Sequence, residues 1–364
     1  MSSKYSFIRD LKDVTEAGLA SWLEEHDVPS YRAGQIFRWL YHRNAGTFSE
    51  MTDLSKELRR WLSSHWIISR FTPQKTKISQ DGSRKYLFRL PDGHHIESVL
   101  IPERGHWTLC ISSQVGCPMG CRFCFTGAGG FVRNLSAGEI INQVCAAQED
   151  LCPTGPLTNI VFMGMGEPLV NYENVLKALA VLMGENGLQF SKRRVTLSTA
   201  GIVPAIDALG KDATLNLAVS LNAADEATRS RIMPINERYP LKDLLKACER
   251  FPVPPGRRLT FEYVLLSGVN DRPQDANRLA ELLKPLRAKI NLIPFNPFDG
   301  SPFKRPSQKT VTAFQEILIQ HNFTVLIRWS KGQDIGAACG QLRATTLSAM
   351  RRPPLLEYRY SQKH

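Results

Sequence analysis

The sequence predicts an α/β protein in which parallel strands form a barrel or a doubly wound sheet, with a small helical domain in front of it. From about residue 105 onward, apolar strand-like runs alternate with helical stretches along the chain. This alternation favours parallel strands, because a crossover between two parallel strands needs a connection of helical length. Residues 1 to about 70 instead have the apolar spacing of amphipathic helices.

The N-terminal part predicts helices and then a β-hairpin. The stretch YRAGQIFRWLYHR places Ile36, Phe37, Leu40 and Tyr41 on one helical face, and LSKELRRWL is a second amphipathic segment. The strands SRKYLFRL and HHIESVLI flank the turn residues PDG, as in a hairpin. We expect a helical accessory domain at residues 1–70 and a hairpin linker at residues 71–102.

The alternating part begins after the hairpin. Its strand-like runs are WTLCIS, NIVFMG, RRVTLS, NLAVSL, LTFEYVLL, KINLIPF and FTVLIRW. Its helical stretches are SAGEIINQVCAAQEDL, NYENVLKALAVLM, LKDLLKACERF, PQDANRLAELLKPL and VTAFQEILIQHN. The first helix opens with Ser136-x-x-Glu139, a capping box. We expect the core at residues 103–336 and a C-terminal tail at residues 337–364.

Composition narrows the class of protein. The chain has 364 residues, no apolar run of membrane-spanning length, and an N-terminus, MSSKYSFIRDLKDV, without the apolar region of a signal peptide. We therefore expect a cytoplasmic protein, where clustered cysteines are metal ligands or catalysts more often than structural disulfides. The balance of 46 basic and 34 acidic residues gives a net charge of +12, which favours a polyanionic partner such as nucleic acid.

Small or polar residues lie where the predicted strands end. A cysteine-rich loop follows WTLCIS, the segment GMGEP follows NIVFM, Ser198 ends RRVTLS, Asn222 follows NLAVSL, and Asn296 follows KINLIPF. Parallel α/β folds gather their chemistry at the carboxyl ends of the strands. These residues therefore predict one common site.

The stretch CISSQVGCPMGCRFCFTG places Cys117, Cys121 and Cys124 at C-x3-C-x2-C spacing, with Cys110 seven residues ahead. Three thiolates could bind zinc, but structural zinc needs a fourth ligand and no CxxC or HxxxH partner lies downstream. They could instead hold a [4Fe–4S] cluster, which normally takes four cysteines. With three, one iron stays open for a substrate.

The C-x3-C-x-aromatic-C motif, completed by Phe123, resembles the signature of radical S-adenosylmethionine (SAM) enzymes. Further segments that match one family are LCISSQVGCPMGCRFCFTGAGGFVRNL, FMGMGEPLVNYENV, RRVTLSTAGIVPAI, LAVSLNAADEATRSRIMPIN, YPLKDLL, EYVLLSGVND, INLIPFNPF and GQDIGAACGQL. Over most of residues 20–345 the chain resembles the RlmN family of radical SAM methyltransferases, which methylate C2 of adenine in RNA. The N-terminal segment YRAGQIFRWLYHRNAGTFSEMTDLSKELR resembles that family's helical RNA-binding domain.

The resemblance implies roles for individual residues. The cluster ligands would be Cys117, Cys121 and Cys124. The residues that hold SAM would be Gly166, Glu167, Ser198, Ser220, Leu221, Asn222 and Asn296. The residues that act on the methyl group or the base would be Cys339 as methyl carrier, Cys110 as its resolving partner, Met163 as the residue that positions Cys339, and Glu97 as proton acceptor. Asn222 departs from the family pattern, in which many members have histidine.

The resemblance also implies a fold and a reaction. The fold would be a partial parallel (β/α) barrel. C2 of adenine has no lone pair with which to attack a sulfonium methyl group, so a radical route through methylated Cys339 would link RNA covalently to the enzyme. Cys110 would release the RNA by forming a disulfide with Cys339. The implied substrates are 23S rRNA and the tRNA anticodon loop, and the implied reducing partners are a flavodoxin-like electron donor and a thiol reductant.

Two other interpretations of the sequence stay open. The Cfr group shares most of these motifs and methylates C8 of adenine. A non-catalytic iron–sulfur or zinc RNA-binding protein would also have clustered cysteines and a basic surface. We see no apolar stripe typical of a dimer and expect a monomer.

Basic residues occur in several separate segments, SKRRV, ATRSRI, PPGRRL and AMRRPP. Such segments usually contact phosphates rather than bases. We therefore expect Arg193 and Arg194 to contribute to general RNA affinity and not to sequence preference. A stacked adenine would have to be extruded before its C2 could react.

Overall fold

The computed structural model describes residues 9–151 and 155–342. Within this part of the chain, most strands belong to one mixed sheet. The strands are β1 (Arg9–Asp10), β2 (Trp66–Ile67), β3 (Lys75–Ile78), β4 (Arg84–Arg89), β5 (His95–Glu103), β6 (His106–Cys110), β7 (Gln114–Gly116), β8 (Phe131–Asn134), β9 (Leu157–Phe162), β10 (Val195–Thr199), β11 (Asn216–Ser220), β12 (Leu259–Leu265), β13 (Ala288–Pro294) and β14 (Thr324–Ile327).

The large sheet has the order β14-β13-β12-β11-β10-β9-β6-β5-β4-β3. Neighbours from β6 to β14 pair in parallel, whereas β3, β4, β5 and β6 pair antiparallel. The parallel part has strand order equal to chain order, with a crossover between each pair from β9 onward. The antiparallel strands extend the same sheet from β6, so the expected partial parallel barrel is confirmed, with a hairpin attached at one side.

Helices lie in the N-terminal part and in the crossovers. They are α1 (Glu16–Glu24), α2 (Arg32–Tyr41), α3 (Lys56–His65), α4 (Phe125–Ala128), α5 (Ala137–Leu151), α6 (Tyr172–Met183), α7 (Val203–Asp212), α8 (Glu226–Ile232), α9 (Ile235–Arg238), α10 (Leu241–Arg250), α11 (Pro273–Leu283) and α12 (Gln308–Gln320). Across residues 9–151 and 155–342, we find no helix with the length and apolar character that a membrane crossing requires.

Local sequence signals explain where the elements begin. The predicted capping box of α5 forms: the Ser136 hydroxyl accepts the Glu139 amide at 3.2 Å, and the Glu139 carboxylate accepts the Ser136 amide at 3.0 Å. The core strands are buried along most of their length, as is usual for parallel strands, and include fully buried apolar residues such as Leu197, Phe261 and Ile290. Burying these side chains between sheet and helices supplies the main stabilisation.

Each predicted strand-like run forms a strand, and each predicted helical stretch forms a helix. The structure adds elements that we did not predict, namely β1, β2, β3, β7, β8, α4, α7, α8 and α9. β3 consists of four exposed residues, so no apolar pattern marks it. β7 and β8 form a short two-stranded sheet around the cysteine loop, where close backbone pairing, rather than an apolar repeat, defines the structure.

Candidate active site

A cavity of about 150 Å³ opens at the carboxyl ends of the parallel strands. It brings together many of the residues that the sequence singled out. Those that line it are Cys117, Cys121, Cys124, Met163, Gly166, Glu167, Ser198, Ser220, Asn296 and Cys339. The predicted convergence of the strand ends is therefore present in the structure.

The cysteine loop is held at its base by β7 and β8. Its first cysteine, Cys117, donates its backbone N–H to Gly130 O at 2.8 Å. The last, Cys124, lies at the N-cap of α4 and donates its N–H to Cys121 O at 3.1 Å. Gly116 has φ of +75°, and a Cβ there would lie 2.0 Å from Gly130 O, so this crossing requires glycine.

Burial raises the pKa of all three loop thiols, and the neighbouring cysteines raise the pKa of Cys117 further. Among the described residues, no group of three or more His, Cys, Asp or Glu side chains has an arrangement that could hold a single metal ion. An iron–sulfur cluster does not need that arrangement, because each cysteine binds a different iron. Three thiols around one cavity, beside a carboxylate, are a donor set that fits a cluster with one open iron.

Glu167 is the carboxylate that faces this cavity. It is buried, with Oε2 accepting the Ala200 N–H at 2.7 Å and Oε1 accepting the Leu169 N–H at 3.1 Å. Burial raises the pKa of Glu167 to about 7, although these hydrogen bonds act in the opposite direction. The carboxylate is thus in place to bind an ammonium group once it has lost its proton.

The glycines of GMGEP allow the backbone to approach its neighbours closely. Gly166 has φ of +110°, and a Cβ there would lie 2.7 Å from both Gln114 Cβ and Ser113 Oγ. A Cβ on Gly164 would lie 2.7 Å from the backbone of Ile111. These close approaches fix Glu167 against the strand that precedes the cysteine loop, and Glu167 N donates to Gln114 Oε1 at 2.8 Å.

Sequence reasoning missed Glu262, which also lines the cavity. Its carboxylate accepts a hydrogen bond from Ser198 Oγ at 2.6 Å and from Ser220 Oγ at 3.4 Å, so it links two predicted cofactor residues. Burial raises the pKa of Glu262. The sequence does contain one indication: the apolar run LTFEYVLL, predicted as a parallel strand, includes a charged residue. A glutamate is seldom buried in such a strand unless its carboxylate has partners.

The segment that carries Cys339 lines the cavity with Cys339 and Gly340. After Cys339, Gly340 O accepts the Phe125 N–H at 2.7 Å and Leu342 O accepts the Thr126 hydroxyl at 2.5 Å. The segment is therefore attached to the same helix that follows the last loop cysteine. Cys339 is exposed, yet desolvation by the surrounding protein together with Glu262 raises the pKa of its thiol to about 11.

Cys110 lies at the end of β6 and is buried, and the described residues that line the cavity do not include it. Burial, and to a smaller extent the charge of Cys339, raise the pKa of the Cys110 thiol. The Met163 backbone hydrogen-bonds to Cys110 and acts in the opposite direction. Both cysteines are free thiols in this structure.

Glu97 lies on β5, outside the described cavity lining. It is buried, and Oε1 lies 3.1 Å from Lys85 Nζ. Its own carbonyl oxygen accepts the Ser112 hydroxyl at 2.6 Å, two residues beyond Cys110. The predicted proton acceptor is thus hydrogen-bonded to the chain just after the strand that carries the predicted resolving cysteine.

Two predicted cofactor residues have their contacts inside the protein. Asn222, with φ of +59°, donates its side-chain amide to Met233 Sδ at 3.2 Å and accepts the Val264 N–H at 2.8 Å. Leu221 is fully buried, and its carbonyl oxygen accepts a hydrogen bond from Arg229 at 3.1 Å. Neither belongs to the described cavity lining, so their cofactor roles stay predictions.

The basic segments separate into different environments. SKRRV and PPGRRL meet at the amino ends of the parallel strands, where Arg257 donates to Lys192 O at 3.3 Å. This edge is opposite the cavity. Arg229 of ATRSRI is fully buried and bound to backbone carbonyls, so it is not part of an RNA-binding surface. AMRRPP and the end of the predicted tail lie outside the described residues, as does Cys152.

Family models match two parts of this chain. Residues 111–281 match the model of the Radical SAM superfamily. Residues 9–68 match the model of the ribosomal RNA large subunit methyltransferase N-terminal domain.

Several curated proteins are similar over nearly the whole chain. The dual-specificity RNA methyltransferase RlmN of Geobacter sulfurreducens is 55% identical, and the match covers 92% of this chain and 92% of that protein. The dual-specificity RNA methyltransferase RlmN of Desulfosudis oleivorans is 52% identical, and the match covers 92% of this chain and 91% of that protein. A crystal structure of a radical SAM methyltransferase from Sphaerobacter thermophilus matches with a TM-score of 0.86 and 46% identity, covering 92% of this chain and 99% of that one.

Proposed function

This chain belongs to the RlmN family of radical SAM RNA methyltransferases, and from this membership we propose that it methylates C2 of an adenosine in 23S rRNA and in the tRNA anticodon loop. The observation that carries the proposal is the meeting of three loop cysteines, Glu167 and Cys339 in one cavity. A cluster ligand set, a carboxylate for an ammonium and a separate thiol are the parts that this reaction needs.

The family uses a [4Fe–4S] cluster and SAM, and the donor set around the cavity suits both. We assign the cluster to Cys117, Cys121 and Cys124. We assign SAM to the cavity residues Gly166, Glu167, Ser198, Ser220 and Asn296, and to Leu221 and Asn222 beside them. When bound, the two groups supply one-electron chemistry, which can functionalise an aromatic carbon that has no lone pair.

The protein's own residues would then carry and release the methyl group. Cys339 accepts the methyl group and becomes linked to C2 of the adenine through it. Glu97 takes the C2 proton. Cys110 gives its proton to solvent and attacks the Cys339 sulfur, so an S–S bond forms and the bond from sulfur to the transferred carbon breaks. That bond's electron pair stays with the carbon, which takes a proton from solvent and becomes the methyl group on C2. A thiol reductant restores both cysteines, and Met163 helps to position Cys339.

Partners and domains follow from the same assignment. The substrate is RNA, with residues 1–70 as an accessory RNA-binding domain and residues 71–102 as the hairpin that carries Glu97. Residues 103–336 form the radical SAM core, and residues 337–364 form the tail that carries Cys339. A flavodoxin-like protein would supply the electron.

Nucleoside mass spectrometry tests the proposal. Cluster-reconstituted protein, SAM and a reductant are incubated anaerobically with ribosomal RNA or tRNA from cells that lack this methylation. Appearance of 2-methyladenosine supports the proposal. An 8-methyladenosine product would place the chain with the Cfr group, and intact SAM with unmodified RNA would contradict a catalytic role.

A further inference from the structure

The antiparallel hairpin holds the first half of the Cys339 segment, which we define as residues 330–342. Asp81, in the turn between β3 and β4, accepts the Gly332 N–H at 2.7 Å. Asp334 accepts the Ser79 hydroxyl at 2.6 Å and the Gln80 N–H at 3.2 Å. These hydrogen bonds join the segment to a turn that is distant in sequence and that sequence reasoning gave no function.

Backbone geometry makes this attachment tight. Gly332 and Gly336 flank a short 3₁₀ turn (Gln333–Ile335), and both have positive φ, at +64° and +63°. A Cβ on Gly332 would lie 2.8 Å from Ala337 Cβ. The chain therefore makes a tight turn just before Cys339, closed by a hydrogen bond from Ala337 N–H to Gly332 O at 2.8 Å, and a shift of this turn would move the cysteine.

Lys85 connects this turn to Glu97. Its ammonium lies 3.1 Å from Glu97 Oε1 and donates to Gly336 O at 3.1 Å. In the register of the hairpin, Lys85 pairs with Val99, so Glu97 is its diagonal neighbour on the same face, within reach of a long side chain. The Lys85 and Glu97 side chains are only 12% and 8% exposed, so water screens their attraction less than it screens a surface pair.

We propose that Lys85 is a positioning residue that couples the Glu97 carboxylate to the placement of the Cys339 segment. The Lys85 ammonium contacts both the proposed proton acceptor and the chain just before the proposed methyl carrier. It therefore keeps the two at a fixed separation. Loss of the ammonium removes the hydrogen bond to Gly336 O, and loss of the carboxylate charge removes the ion pair that keeps the ammonium in place. This inference rests on the proposed function and adds a residue to it.

The coupling can be measured without running the methyl-transfer reaction, through the equilibrium constant for forming the Cys110–Cys339 disulfide. Cluster-reconstituted protein is equilibrated anaerobically with oxidised and reduced glutathione; two protein thiols and one oxidised glutathione give one protein disulfide and two reduced glutathiones. Peptide mapping gives the fraction of chains with the Cys110–Cys339 bond. The equilibrium constant reports how often the segment brings the two sulfurs together.

We expect Lys85→Met and Glu97→Gln each to lower this equilibrium constant by about 3- to 30-fold. The double variant should lower it no further than the larger of the two single effects, because both substitutions remove the same interaction. Lys85→Arg keeps the charge and should stay within about threefold of the original chain. Lys77→Met is the matched control, because Lys77 is exposed on β3 and pairs directly with Lys85 in the hairpin. It should leave the constant unchanged.

The outcomes separate the two proposals. If the original chain forms no Cys110–Cys339 disulfide, the proposed function fails. If it forms the disulfide and neither Lys85→Met nor Glu97→Gln changes the constant, or if their effects add in the double variant, the coupling is wrong. If Lys85→Met does not fold, Glu97→Gln is measured on its own and in combination with Lys85→Arg. An unchanged equilibrium constant in both would again show that the coupling is wrong.

Discussion

Asn296 donates a hydrogen bond from its side-chain amide to the carbonyl oxygen of Cys339 over 3.1 Å. Its amide oxygen accepts hydrogen bonds from Ser330 at 2.5 Å and from Gln333 at 3.1 Å. One side chain just after β13 therefore holds the Cys339 segment both at its beginning and at the proposed methyl carrier itself. Asn296 itself is buried, so its side of these bonds is protected from competing water.

Asn296→Ala should slow RNA methylation by at least about tenfold, because it removes three part-buried hydrogen bonds that each contribute roughly 1 kcal/mol. Single-turnover formation of 2-methyladenosine measures the effect, with iron content as a check on the cluster. Ser330→Ala removes one of these bonds and has no proposed cofactor role, so it should slow the reaction less. Asn277→Ala, on the exposed face of α11, should leave the rate unchanged. An unchanged rate for Asn296→Ala would contradict the positioning role.

SAM affinity should increase as the pH rises from about 6 to 8. Burial raises the pKa of Glu167 to about 7, so below this pH the group is largely protonated and cannot pair with an ammonium. Equilibrium dialysis of cluster-reconstituted protein measures the affinity. Glu167→Gln should bind SAM at least about tenfold more weakly, since hydrogen bonds to charged groups contribute about 1.5–3 kcal/mol, and should lose the pH dependence. The same pH slope in this variant would show that another group titrates.

Gly166→Ala should abolish SAM binding. The new Cβ would lie 2.7 Å from Gln114 Cβ and Ser113 Oγ, both in tightly packed surroundings, and the φ of +110° is strained for alanine. Gly268→Ala is the matched control: its φ is also positive, at +71°, but no atom lies within 4 Å of the new Cβ. The control should lose about 1 kcal/mol of stability and keep SAM binding. Equal effects of the two variants would mean that backbone strain, not the close approach beside Glu167, causes the loss.

Neutralising Arg193 and Arg194 together should weaken RNA binding without changing sequence preference. The two residues precede β10, at the strand edge opposite the cavity, so they can reach phosphates but not the reacting base. Titrations at several salt concentrations should show the slope of log affinity against log salt falling in magnitude by about 1 for each phosphate that an arginine no longer neutralises. Unchanged affinity at every salt concentration would argue against RNA binding at this edge.

The sequence predicted those parts of the site that follow from strand order. Parallel strands place their carboxyl ends together, so the cysteine loop, GMGEP, Ser198 and Asn296 were expected to meet on the strength of the strand pattern alone. Apolar strand runs are the reason for this success, because their length and alternation with helices define the topology.

Interactions between segments distant in sequence were not predictable in this way. Lys85 reaches Gly336 only because the hairpin extends the parallel sheet at β6, and no local pattern in RKYLFR marks that placement. Glu262 stands in an apolar strand, and only its two serine partners reveal its place in the cavity. Asn222 follows its strand as predicted, yet its side chain donates to Met233 from a left-handed backbone.

The central claim is that Cys339 carries the methyl group while Cys110 releases the product. The most direct measurement is to incubate the Cys110→Ala variant anaerobically with cluster, SAM, reductant and unmodified RNA, and to map any covalent RNA–protein adduct by mass spectrometry. Cys248→Ala, which alters a buried cysteine on α10 away from the cavity, is the control and should turn over normally. We predict that Cys110→Ala accumulates RNA bound to Cys339. Normal turnover of Cys110→Ala, or an adduct on another residue, would contradict the account.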